Sequence, residues 1–65
     1  MLNYTKLKAI MDSRSVSQAE LAEAVGVSEA AVSYFLRGLK QPSLLVAQRM
    51  AEYLGTTVDE LLAEA

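Results

Sequence analysis

Ser17-Gln18-Ala19-Glu20-Leu21-Ala22-Glu23-Ala24-Val25-Gly26-Val27-Ser28-Glu29-Ala30-Ala31-Val32-Ser33-Tyr34-Phe35-Leu36 is the stretch on which the reading of this chain turns. Ser17 stands just ahead of a helical period, where its hydroxyl can accept from the free N–H groups of a first turn. Glu20 has the spacing of a capping box, and Val16 is placed to staple onto Leu21, so a helix begins at about Gln18. It lasts two turns, because Gly26 accepts the left-handed conformation that closes a helix. Only Val27 separates that glycine from Ser28, a second cap, and Val27 is placed to staple onto Val32. The next helix therefore follows at once, at a steep angle, over about residues 29–37. Its apolar stripe is Val32, Phe35 and Leu36; Glu29, Ala30, Ser33, Tyr34 and Arg37 occupy the other face, and Gly38 stops it.

Upstream, Leu7, Ile10 and Met11 recur at three- and four-residue spacing with Lys6 and Lys8 off that face, which predicts an amphipathic helix over residues 2–12. A polar break over residues 12–15 ends it. Downstream, a loop through Lys40, Gln41 and Pro42 leads to Ser43, a cap for a helix whose inward face reads Leu44, Ala47, Met50, Ala51 and Leu54, stopped by Gly55. Thr57 and Glu60 repeat the capping-box spacing before a short helix holding Val58, Leu61 and Leu62. The expectation is an all-α fold of five helices in one domain spanning residues 1–65, with no strand, repeat or linker. The chain reads equally as a whole small protein or as one end of a longer one.

The 65 residues leave room for one small core, near the lower limit at which burial alone offsets chain entropy. At 52% hydrophobic and 22% charged the balance is that of a globular protein. There is no cysteine and no histidine, which removes disulfides, thiolate metal sites, a cysteine nucleophile and the imidazole base. With no phosphate-cradling glycine loop either, no enzymatic activity, metal or cofactor is expected. No apolar run approaches the roughly 18 residues of a membrane span, and residues 1–10 lack the apolar core of a signal peptide, so a cytoplasmic, nucleoid-associated location is expected.

Two short helices joined by a tight glycine turn, the second with small polar side chains outward, form a unit able to lay its second helix in the major groove of duplex DNA. The groove is about 12 Å wide and admits one helix, so base edges would be met by Glu29, Ala30, Ser33 and Tyr34. Six basic residues against eight acidic ones run against a general nucleic-acid footprint. Local arrangement would have to compensate: Arg37 and Lys40 lie together in mid-chain, whereas Asp59, Glu60 and Glu64 gather at the far end. Binding that leans little on phosphates, and hence depends weakly on salt, is the expectation.

Gln18, Ala22, Gly26, Val27, Ser28, Val32 and Phe35 fall at the spacing of the phage lambda repressor and Cro-like helix-turn-helix family of DNA-binding regulators, of xenobiotic response element type, which the chain resembles. Arg37-Gly38, Pro42-Ser43, Ala51, Leu54-Gly55 and Val58-Asp59-Glu60-Leu61-Leu62 extend the resemblance over nearly the whole chain. Ala22 is small because the following helix crosses it, Gly26 makes the turn, and Val32 and Phe35 pin that helix to the core. The resemblance implies a transcriptional regulator, of repressor kind, from a phage or prokaryote. It implies that Gln18 bonds a backbone phosphate; that Glu29, Ala30 and Ser33 face bases; and that Tyr34, Arg37, Lys40 and Gln41 face bases or the sugar-phosphate backbone. Ser28 is chiefly a cap whose hydroxyl can also donate to a phosphate.

Two positions depart from the family. Many members pair a buried Arg in the first helix with a Glu at the end of the third; Met11 and Leu36 stand there here, so apolar contact replaces an ion pair, a change that is often neutral or stabilising. Glu29 stands where a neutral or basic donor is common. Its carboxylate can accept from cytosine N4 yet repels phosphate, and it also suits the dipole of a first helical turn.

Leu39, Leu45, Val46 and Tyr53 fall off the apolar stripes and are expected to be exposed, as the surface of a homodimer reading a two-fold symmetric operator. Leu2 and Tyr4 either join that surface or cap the core. A competing reading is a protein-interaction module, such as an antitoxin or adaptor, using the same third-helix face. The acidity and Glu29 favour it, whereas Gln18, Arg37 and Lys40 favour DNA.

Overall fold

In the computed structural model, which describes residues 1–62, five helices follow one another: α1 Tyr4–Ser13, α2 Gln18–Val25, α3 Glu29–Leu36, α4 Leu44–Leu54 and α5 Val58–Leu62. Each begins on a polar side chain that takes a free N–H of its first turn. Asn3 accepts from Lys6 at 3.1 Å, Ser17 from Glu20 at 3.1 Å, and Ser28 from Ala31 at 3.0 Å. Ser43 accepts from Val46 at 3.2 Å and Thr57 from Glu60 at 3.1 Å. Such caps are worth about 1 kcal/mol each, which matters in helices this short. The second half of both expected capping boxes has gone elsewhere. The Glu20 carboxylate accepts from the Tyr53 hydroxyl, and that of Glu60 pairs with Lys6 at 2.7 Å.

The first helix starts at Tyr4, two residues later than its periodicity suggests. Residues 2 and 3 have other hydrogen bonds to make: the Leu2 N–H donates to Gln41 Oε1 and the Asn3 N–H to the Leu61 carbonyl, both at 2.8 Å. The Leu2 side chain is buried in the core, and the strap it belongs to ties the α3–α4 loop to α5.

Leu2, Leu7, Met11, Leu21, Ala22, Val25, Val32, Phe35, Met50, Ala51, Leu54 and Leu61 form one apolar cluster, with no buried polar side chain among the described residues. α2 packs on α3 and α4, α1 on α3 and α5, and α4 on α5. Met11 is buried and Leu36 packs against the cluster, so the apolar substitution for an ion pair is real packing.

The phase of α4 differs from the one expected. Leu44 is 65% exposed, whereas Val46, expected outside, packs against the cluster. One hundred degrees per residue allows either choice in an apolar run of four, and Val46 lies one turn from the buried Met50, on the stripe that faces the core. Leu62 is likewise at the surface, because a five-residue helix offers one inward stripe, taken by Val58 and Leu61. Among the described residues no helix is long and apolar enough to cross a membrane. Glu64, counted with the terminal acids, lies outside the described residues.

Candidate nucleic-acid interface

The turn between α2 and α3 is built from the backbone. Gly26 has φ +77°, and its N–H and that of Val27 both donate to the Ala22 carbonyl, at 3.0 and 3.1 Å. Ala22 is buried, so α3 passes close over α2 without a side chain in the way. Val32 and Phe35 are buried and Ala31 and Leu36 pack against the core, which holds α3 by one side.

What remains outward is a sector of α3 about 100° wide, carrying Ala30, Ser33, Tyr34 and Arg37, with Glu29 on one flank of the first turn. Glu29, Ala30 and Tyr34 are exposed and Ser33 is half-buried. Ser28 accepts the Ala31 N–H, which uses a lone pair and leaves its hydroxyl hydrogen to point outward. Glu29, in the first turn, adds negative charge where the helix dipole is positive.

Gln18, the first residue of α2, is exposed and lines a shallow groove of about 180 Å³ with Lys8, Met11, Asp12 and Leu36. The start of α2 and the end of α3 thus share a border with α1. Lys8 was not singled out in the sequence. It pairs with Asp12 one turn on at 3.7 Å, and both are exposed. Its i,i+4 spacing to Asp12 was visible, but its place beside Gln18 depends on how α1 packs.

At the other end of α3 the Arg37 guanidinium carbon lies 5.1 Å from the centre of the Tyr34 ring. The ion pairs among the described residues are Lys6–Glu60 and Lys8–Asp12, so neither takes up Arg37 or Lys40. Lys40 is exposed in the α3–α4 loop. Gln41 differs from its neighbours, because its carboxamide oxygen holds the Leu2 N–H. The Tyr4 ring closes the same loop, lying against Gly38. No residue period announces that contact.

The expected association surface divides. Leu39 and Leu45 are exposed, Val46 faces the core, and Tyr53, itself 44% exposed, bonds Glu20 across α2 and α4. That hydrogen bond first, then partial removal from water and the charges of Glu20 and Glu23, raises the Tyr53 phenol above its ordinary value of 10.0. A separate apolar groove is lined by Met1, Leu2, Gln41, Pro42, Leu44, Ala47 and Leu62. Among the described residues no cluster of acids could hold a metal ion.

The sequence pattern of the helix-turn-helix family matches residues 7–61. No curated protein matches the chain. Among solved structures, a chain of the SinR–SinI protein complex superposes with a TM-score of 0.88 at 29% identity, covering 98% of this chain and 62% of that one. This chain therefore spans less than two thirds of that relative. The N-terminal DNA-binding domain of SinR from Bacillus subtilis gives 0.85 at 29% identity, over 94% of this chain and 90% of that one. The DNA-binding domain of the P22 C2 repressor gives 0.86 at 25%, over 100% and 91%.

Proposed function

The chain belongs to the helix-turn-helix family of lambda repressor and Cro type, and on that ground we propose that it is a sequence-specific regulator of transcription that reads double-stranded DNA with α3. The observation that carries the proposal is the outward sector of α3, which carries small or polar side chains and ends in a guanidinium that takes part in neither ion pair. Similarity to domains described as DNA-binding, in SinR and in the P22 C2 repressor, supports it.

In this reading Glu29, Ala30 and Ser33 meet base edges in the major groove. The Gln18 side chain, at the positive end of α2, donates to a phosphate, and Ser28 donates to another with the hydrogen its capping role leaves over. Tyr34, Arg37 and Lys40 follow the sugar-phosphate backbone, and Gln41 supports them by anchoring the loop to Leu2. Glu29 accepts from a cytosine amino group, which favours selectivity over affinity. With so few cations on this face, binding should depend only weakly on salt. The regulator acts as a repressor of phage or prokaryotic kind, in the cytoplasm, as a domain spanning residues 1–65. It binds a two-fold symmetric operator as a homodimer, with Leu39 and Leu45 among the contacts.

Selection from a random duplex pool, followed by fluorescence anisotropy at two salt concentrations, tests the proposal. Enrichment of a short two-fold site with a shallow salt slope is the expected result. No enrichment at low salt would overturn DNA reading and reassign the α3 face to a protein partner.

A further inference from the structure

The geometry points to Tyr34 as a positioning residue that holds the Arg37 guanidinium over the outward face of α3 for a phosphate oxygen, an inference that rests on the DNA-binding reading above. Arg37 caps the C-terminus of α3, and the chain turns away at Gly38 immediately after it. A long side chain at such a place has many directions open to it. Here its guanidinium carbon lies over the Tyr34 ring, 5.1 Å from the centre and one turn back along the helix.

The nature of that partner matters. A carboxylate would orient the arginine but offset its charge, as Glu60 does for Lys6 and Asp12 for Lys8. An aromatic face orients the planar group and leaves both its full charge and its in-plane N–H donors free. In a chain of net charge −2, an oriented cation that neither ion pair takes up is an asset for phosphate binding. The role assigned to Tyr34 is carried by its ring, whereas a direct contact to DNA would be carried by its hydroxyl. The two roles can therefore be separated.

The test measures the selected duplex site by anisotropy across a salt series for the parent, Tyr34→Ala, Tyr34→Phe, Arg37→Ala and Tyr34→Ala/Arg37→Ala, together with the Arg37 Hδ shifts of the free proteins by NMR. Arg37→Ala should lower affinity and reduce the salt slope by about one. Tyr34→Ala should lose about two- to fivefold in affinity, the size of an exposed cation–π contact, with the slope retained because the charge is still present. Tyr34→Phe should recover most of that loss, the double variant should bind like Arg37→Ala alone, and the upfield ring-current shift of Arg37 Hδ should vanish in Tyr34→Ala. Equal losses for Tyr34→Phe and Tyr34→Ala, additive losses in the double variant, or Arg37 shifts that do not move would each overturn the inference while leaving DNA binding standing. A parent that binds no duplex at low salt would overturn the DNA reading and this inference with it, even with the ring-current shift present.

Discussion

The turns before and after α3 each contain a glycine in the left-handed region, yet the two glycines stand in different surroundings. At Gly26, φ +77°, an added Cβ would meet only the Arg49 guanidinium at 3.5 Å, an ordinary contact. At Gly38, φ +71°, it would lie 2.8 Å from Tyr4 Cε1 and 3.1 Å from Cδ1. The turn into α3 is thus a local device, in which Ser17, Ala22, Gly26 and Ser28 set the helix ends through neighbours in sequence. The loop leaving α3 is closed from outside, by the Tyr4 ring on Gly38 and by Leu2 on Gln41. In the proposed function the base-reading turn of α3 therefore depends on local sequence, and the backbone-facing segment from Arg37 to Gln41 depends on the N-terminal strap.

The largest effect should come from breaking the local side at its crossing point. Ala22→Leu forces a branched side chain between α2 and α3 and should cost about 3 kcal/mol in urea unfolding, much of what so small a protein has. A cooperative transition at the parental midpoint would show that α3 does not depend on close approach there.

Next comes the comparison itself. Gly38→Ala should destabilise by about 2 kcal/mol, combining left-handed strain with displacement of the Tyr4 ring, and Gly26→Ala by about 1 kcal/mol from strain alone. In a Tyr4→Ala background the Gly38→Ala cost should fall to that of Gly26→Ala. Equal costs in the parent would remove the distinction between the two ends.

Gln18→Ala acts on binding and leaves the fold alone. Loss of one hydrogen bond to a charged phosphate should weaken duplex affinity about tenfold with the thermal midpoint unchanged. Unaltered affinity for every duplex would refute the phosphate contact.

The smallest effect concerns the brace between α2 and α4. The Tyr53 phenol is raised above 10.0 mainly by its bond to Glu20, so folding favours its neutral form. The associated stabilisation is fully present below the unfolded value of 10.0 and is lost as pH rises through the higher folded value. In a Tyr4→Phe/Tyr34→Phe background, where Tyr53 is the sole tyrosine, absorbance at 295 nm should show it titrating above 10.0, with the midpoint lowered in Glu20→Ala. An unchanged titration in that variant would mean that Glu20 is not the cause.

Much of the candidate site was readable before the structure. Ser17, Ser28, Ser43 and Thr57 cap helices as their positions suggest, because capping satisfies N–H groups two or three residues away and involves no distant contact. The outward placement of Ala30, Tyr34 and Arg37 follows from the same local period that buries Val32 and Phe35. Leu44 and Val46 were not readable in the same way. Residues 44–47 are all apolar, so spacing sets the pitch of the stripe but leaves its phase open. Glu20 and Glu60 each had a local partner within reach, and each found a distant one, in Tyr53 and Lys6.

By itself the sequence determined where α2, α3, α4 and α5 start and that a short two-helix unit joined by Gly26 presents Glu29, Ala30 and Tyr34 outward. Those outcomes rest on backbone conformation and on hydrogen bonds between near neighbours. Only the tertiary structure decided that Leu2 is core, that Val46 turns in and Leu44 out, and that Gln41 serves the strap. It also decided that Lys8 borders Gln18. These rest on contacts between residues far apart in sequence, such as Leu2 with Gln41, 39 positions on, and such contacts exist only once all five helices have packed.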